Sequence, residues 1–105
     1  MASLYVTEYS AIASVNTNFG GRDSPGQAPQ DPPNAEQLVN IAASSTQSSA
    51  FTSTTSLIRV HADAICSIAI GANPTATTTK KRLAAGQTEY FGVSAGHKIA
   101  VIQNV

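Results

Sequence analysis

Leu57-Ile58-Arg59-Val60-His61 and, after Ala62-Asp63-Ala64, Ile65-Cys66-Ser67-Ile68-Ala69-Ile70 alternate in character with a period of two. That period belongs to a strand, whose successive side chains point to opposite faces. It turns Ile58, Val60 and Ala62 toward a core, with Leu57, Arg59 and His61 opposite. It then turns Cys66, Ile68 and Ile70 inward, with Ile65, Ser67 and Ala69 opposite. Both runs read as half-buried antiparallel strands. Asp63-Ala64 is so short a link that they form a hairpin or one bent strand.

Two further runs of strand length lie downstream, Glu89-Tyr90-Phe91-Gly92-Val93 and Lys98-Ile99-Ala100-Val101-Ile102. Asn73-Pro74, Ala85-Gly86 and Ala95-Gly96 punctuate the series as turns, with His97 in the last of them. The expected core is Ile58, Val60, Cys66, Ile68, Ile70, Phe91, Val93, Ile99 and Val101. Upstream, Val39 and Ile41 alternate as a strand, with Leu38 set apart from them. Residues 43 to 56 are low in complexity, with Ala50 and Phe51 as an anchor in a Ser/Thr tract whose hydroxyls suit turns.

Leu4-Tyr5-Val6-Thr7-Glu8-Tyr9 is rich in β-formers and reads as a strand or an extended arm. From Asn16 to Asn34, Gly20-Gly21, Pro25-Gly26, Pro29 and Pro32-Pro33 read as a long loop, because proline removes backbone donors and glycine is costly to order. A loop of that length in a small domain is a binding loop or a segment ordered by a partner. The chain is expected to be one domain over 1–105, with an arm and loop-rich segment at 1–36 and a β-sandwich body at 37–105.

Charged residues make up 11% of the chain, less than half the ~25% of an average soluble domain, so Ser, Thr, Asn, Gln and Gly must form the surface. Such a surface tolerates being packed against something. Six basic and six acidic residues cancel, which removes an overall electrostatic case for nucleic acid or an anionic membrane. The halves differ, at −3 for residues 1–50 and +3 for residues 51–105, so they could meet within one chain or between neighbours. One cysteine forms no internal disulfide, and the N-terminus lacks a secretory pattern. The chain is expected to be soluble when made, in the cytosol of the producing cell.

Catalytic patterns are weak. Cys66 shares a face with Ile68 and Ile70, where desolvation would raise its pKa, the reverse of an activated thiolate. His61-x-Asp63 puts an imidazole and a carboxylate on one side of a strand, which suits a metal or an acid/base pair, but a surface pair is the expected reading. The carboxylates Glu8, Asp23, Asp31, Glu36, Asp63 and Glu89 are scattered. Lys80-Lys81-Arg82 is the single basic run and lacks the aromatic platform or broad field that nucleic acid needs. No enzymatic activity, cofactor, metal or small-molecule substrate is expected. A small hydrolase would need a nucleophilic or acidic partner for His61 or His97.

Ile70-Gly71-Ala72-Asn73-Pro74-Thr75-Ala76, Leu83-Ala84-Ala85-Gly86, Glu89-Tyr90-Phe91 and Gly96-His97-Lys98-Ile99-Ala100-Val101-Ile102 resemble small head proteins of tailed bacteriophages that decorate or cement a capsid. Leu4-Tyr5-Val6-Thr7-Glu8-Tyr9 fits such proteins as well, so the resemblance covers the whole chain and is densest in its last third. It implies an all-β fold, a small antiparallel β-sandwich or jelly-roll-like domain. It also implies a homo-dimer or homo-trimer on the outside of an icosahedral shell, with the major capsid (coat) protein as partner and the virion as location. Leu4, Tyr5 and Tyr9 are expected to dock on a neighbouring subunit or the coat, and Lys80, Lys81 and Arg82 to meet acidic coat surface. The competing readings are a neck or tail-junction protein and a glycan-binding module of a tail or fibre.

Overall fold

The computed structural model describes the backbone of residues 2–10, 12–19, 22–29 and 32–104 and the side chains of 2–10 and 32–104. The strands are β1 (Ser3–Tyr9), β2 (Ile12–Phe19), β3 (Arg22–Pro29), β4 (Ala35–Asn40), β5 (Thr46–Gln47), β6 (Leu57–Ala62), β7 (Cys66–Gly71), β8 (Lys81–Leu83), β9 (Thr88–Gly92) and β10 (Lys98–Gln103). The described residues contain no helix. Every pairing is antiparallel. One four-stranded sheet runs β4-β1-β6-β9 and will be called the front sheet; the other, the back sheet, runs β5-β10-β7-β8, and β2 and β3 form a separate two-stranded ribbon.

Period two does what it promises in β6, where Ile58, Val60 and Ala62 are each 0% exposed. From the front sheet they join Leu4, Val6 and Val39; from the back sheet come Cys66, Ile68, Leu83, Ile99 and Val101, all in one apolar cluster. Each fully buried aliphatic side chain contributes about 1.5–3 kcal/mol, and both sheets supply them, so neither sheet is stable without the other. Ile70, Phe91 and Val93 pack on the margin of this core, partly buried. Ile41 and Phe51 complete it from outside the strands.

Neither a hairpin nor a bent strand joins β6 to β7. β6 pairs with β1 and β9, and β7 pairs with β10 and β8, so the link crosses from sheet to sheet. Asp63 N–H donates to the carbonyl of Ser3 on one side, and the carbonyl of Ile65 accepts from Asn104 N–H on the other, both at 3.1 Å. Ala62 and Cys66 are both fully buried, so the chain changes sheets with its inward phase preserved. The turns at Ala85-Gly86 and Ala95-Gly96 are present: Gln87 N–H donates to Ala84 C=O, His97 N–H to Ser94 C=O, and Gly86 and Gly96 take φ of 78° and 79°. A type II turn needs that positive φ at its third residue. Both turns carry the chain between sheets instead of closing hairpins.

Two expectations for the first third are corrected. Residues 3–9 are not an extended arm but β1, an interior strand held by β4 and β6. The alternation of Leu4 and Val6 drives this, since both are buried in the chain's own core. β1 therefore belongs to the body. Of the expected loop from Asn16 to Asn34, residues 16–19 and 22–29 are strand, within a ladder paired from Ile12↔Pro29 to Phe19↔Arg22. Pro25 and Pro29 share one phase of the ladder, and a two-stranded ribbon leaves each strand an edge where a missing donor costs nothing. Gly20, Gly21, Gln30 and Asp31, which also fell in the expected loop, lie outside the described residues. The molecule measures 52 × 29 × 22 Å. Eight antiparallel residues span about 27 Å, close to the excess of the long axis, so the ribbon projects from the body.

Candidate functional site

The front sheet turns one face to the core and leaves the other uncovered. On the uncovered face two rows run across the strands in register. Thr7 pairs with Glu36 on β4 and with Arg59 on β6, which in turn pairs with Tyr90 on β9. Tyr5 pairs with Leu38 and with His61, which pairs with Thr88. Leu38 is 65% exposed, Tyr90 52% and Tyr5 45%, and these are the exposed large hydrophobics among the described residues. All of them lie on this one face. It holds an open concavity of about 780 Å³ lined by the β4, β1 and β6 members of both rows.

The back sheet is different, because the segment after β7 folds back over its outer face. Gln47 Nε2 donates to Asn73 Oδ1 and to the carbonyl of Pro74, Ser45 Oγ accepts from Ala76 N–H, and Asn104 Nδ2 donates to Ser67 Oγ and to the carbonyl of Thr78. Pro74 and Ala76, within this strap, are buried. Ser67 and Ala100, which face outward from the back sheet, are 0% exposed. One outer face is roofed by the chain itself and the other is bare.

His61 is held in place on the bare face. Its Nδ1 lies 2.7 Å from Thr88 Oγ1, and its ring centroid is 6.3 Å from that of Tyr5, tilted by 59°. Asp63 lines the same concavity, so the two groups of His61-x-Asp63 do share a side. Among the described residues no group of three or more His, Cys, Asp and Glu side chains is placed to hold a metal ion. Cys66 is fully buried, and desolvation pushes its thiol above the ordinary 9.0. No helix among the described residues is long and apolar enough to cross a membrane.

The six expected contact residues are not brought together. Leu4 is 0% and Tyr9 7% exposed, so both are spent on the chain's own packing and neither is offered to a neighbour. Tyr5 alone of the three is exposed. Lys80, Lys81 and Arg82 are exposed at the β8 edge of the back sheet. Lys81 Nζ stands 4.5 Å from the centroid of Phe91, a cation–π contact that ties the β8 edge to the β9 edge of the front sheet. Lysine on an edge strand also discourages stray strand pairing.

Glu36, Leu38, Arg59, His61 and Tyr90 form the bare face around Tyr5. The signal for Leu38 was its offset from Val39 and Ile41: an apolar residue out of phase with a buried strand must face outward.

Beneath this face, on its inner side, sits a polar node. Glu8 is 1% exposed and meets no cation among the described residues. Its Oε1 accepts from Thr52 N–H and Thr55 Oγ1 at 2.9 Å each, and its Oε2 from Gln37 Nε2 at 2.8 Å. Gln37 Oε1 then accepts from Ser49 N–H. The Ser/Thr tract is thus a clasp whose donors converge on one buried carboxylate. No protein-family model, no curated protein and no solved structure matches this chain.

Proposed function

We propose that this chain is a non-enzymatic structural protein that works by contact, with the bare face of the front sheet as a protein-docking surface. One observation carries the reading: the exposed large hydrophobics of the described residues gather on a single sheet face while the opposite outer face is roofed. Contiguous apolar exposure of that kind marks interaction sites. The low charge of the surface points the same way.

The setting we propose is the exterior of a tailed-phage capsid, with the coat protein as partner, because the motifs between Ile70 and Ile102 resemble head decoration proteins. The exposed Lys80-Lys81-Arg82 run and the projecting ribbon suit many modest contacts on a repeated lattice, where avidity compensates for weak single sites. The finer architecture we propose is a jelly-roll-like β-sandwich. Its support is the nesting of pairs, β7 with β8 inside β6 with β9 inside β5 with β10. β1 stands beside β4 where a strand after β10 would complete the series.

The test is to add purified protein to phage heads that lack it, pellet them and image them. Density distributed over the shell is the expected result. A ring confined to the portal end would select the neck reading, and no association with heads would end the capsid proposal. Tyr5 and Tyr90 on one open face give the glycan-binding alternative a specific footing. Glycan-array binding lost in Tyr5→Ala would favour it.

A further inference from the structure

We propose that the bare face of the front sheet seats a second copy of this chain, face to face, about a twofold axis running along β1. The inference rests on reading that face as a docking surface and names its occupant. β1 has β4 on one side and β6 on the other, each one strand spacing away. A half-turn about β1, with the axis in the plane between the two sheets, lays β6 of one copy over β4 of the other and β1 over β1.

The registered rows are complementary under that operation. In the first, Glu36, Thr7 and Arg59 stand on β4, β1 and β6. Rotation sets each Glu36 opposite Arg59 of the other copy, twice by symmetry, with Thr7 against Thr7. In the second, Leu38, Tyr5 and His61 stand on the same strands, so Tyr5 meets Tyr5 and each Leu38 meets the His61 ring. Within one chain Glu36 and Arg59 are separated by Thr7, and among the described residues neither closes an ion pair. Sheets pack about 10 Å apart, a gap that a glutamate and an arginine reaching toward each other can bridge. A zero net charge removes the long-range repulsion that would oppose pairing of identical chains. An isologous contact of this kind closes on itself and yields a dimer, not a fibre.

Under this rotation β4, β1 and β6 overlap while β9 overhangs, so three strands about 4.8 Å apart and six residues at about 3.4 Å give a projected footprint on the order of 300 Å² per copy. That is well below the ~800 Å² per partner of a standard specific interface, so the dimer is weak and concentration-dependent. Sedimentation equilibrium across a concentration series tests it. Wild-type chain is expected to pass from monomer to dimer, and Glu36→Arg alone or Arg59→Glu alone to weaken the dimer about tenfold or more, since each sets like charges opposite one another at both symmetric positions. An equimolar mixture of the two variants restores opposite charges at both positions and is expected to dimerise again.

Circular dichroism verifies that both variants fold, as their side chains face away from the core. A wild-type chain that stays monomeric, single variants that dimerise unchanged, or a mixture that fails to recover would each overturn the proposal. Head binding by a strictly monomeric chain would defeat this inference while leaving the capsid reading standing. A rescued dimer that ignores heads would do the reverse.

Discussion

Glu8 is the residue on which the front sheet and the Ser/Thr tract depend together. A buried carboxylate without a cation is tolerable only when its lone pairs are filled, and here a backbone N–H, a hydroxyl and a side-chain amide fill them. Asn34 Nδ2 extends the clasp to Thr54 and Thr55. Removing the carboxylate strands those donors. Glu8→Ala is expected to cost about 3 kcal/mol, from the loss of charge-assisted bonds to Thr52 N–H, the buried Thr55 hydroxyl and the Gln37 amide. Glu8→Gln is expected to cost less, about 1–2 kcal/mol, because its carbonyl can still serve Thr52 and Thr55 while its amide meets the amide of Gln37. Urea unfolding midpoints measure both, and equal losses for the two variants would contradict this account of the node.

At the scale of elements, the two halves of the first third have opposite roles. β1 is the strand through which β4 joins the front sheet, and it contributes Leu4 and Val6 to the core. Deleting residues 3–9 is therefore expected to abolish cooperative unfolding, whereas replacing residues 12–29 with a short turn should keep stability within about 1 kcal/mol. Thermal unfolding of the two deletions separates the roles, and a folded chain without β1 would refute the assignment. β6, β7, β9 and β10 were legible in sequence because each has enough residues to display period two. β5 and β8 were not, because Thr46-Gln47 and Lys81-Arg82-Leu83 are too short and polar to show any period. β2 and β3 were hidden by Pro25, Gly26 and Pro29, which breaker rules count against a strand although a ribbon edge tolerates them. Of the bare face, the outward turn of Leu38, Arg59 and His61 was legible in their phase and Tyr5 was expected as a contact residue; that this face stays bare was not, since that depends on the strap over the back sheet, a tertiary fact.

At the scale of the molecule, the pairings form a nested series with one displaced member. β7 pairs with β8, β6 with β9 and β5 with β10, so the next strand outward, β4, would take a partner that follows β10. Its partner is β1 instead. The described ends of the chain lie beside one link: Ile41 N–H donates to the carbonyl of Ala2, and Gln103 N–H donates to the carbonyl of Ala42. A flexible linker of about six residues, reaching up to ~20 Å, can therefore join Asn104 to Ala2. A permuted chain that starts at Pro33, runs through Asn104 and the linker, and ends at Ser10 restores the unbroken nested order and omits the ribbon. Closing the added loop costs little entropy, and β1 then follows β10 directly. This permuted chain is expected to unfold cooperatively with a denaturant slope close to that of the ribbon-deleted parent, since both bury the same surface. If the ribbon-deleted parent folds and the permuted chain does not, the two ends are not held together at Ile41-Ala42, and the nested order is the wrong description of this fold.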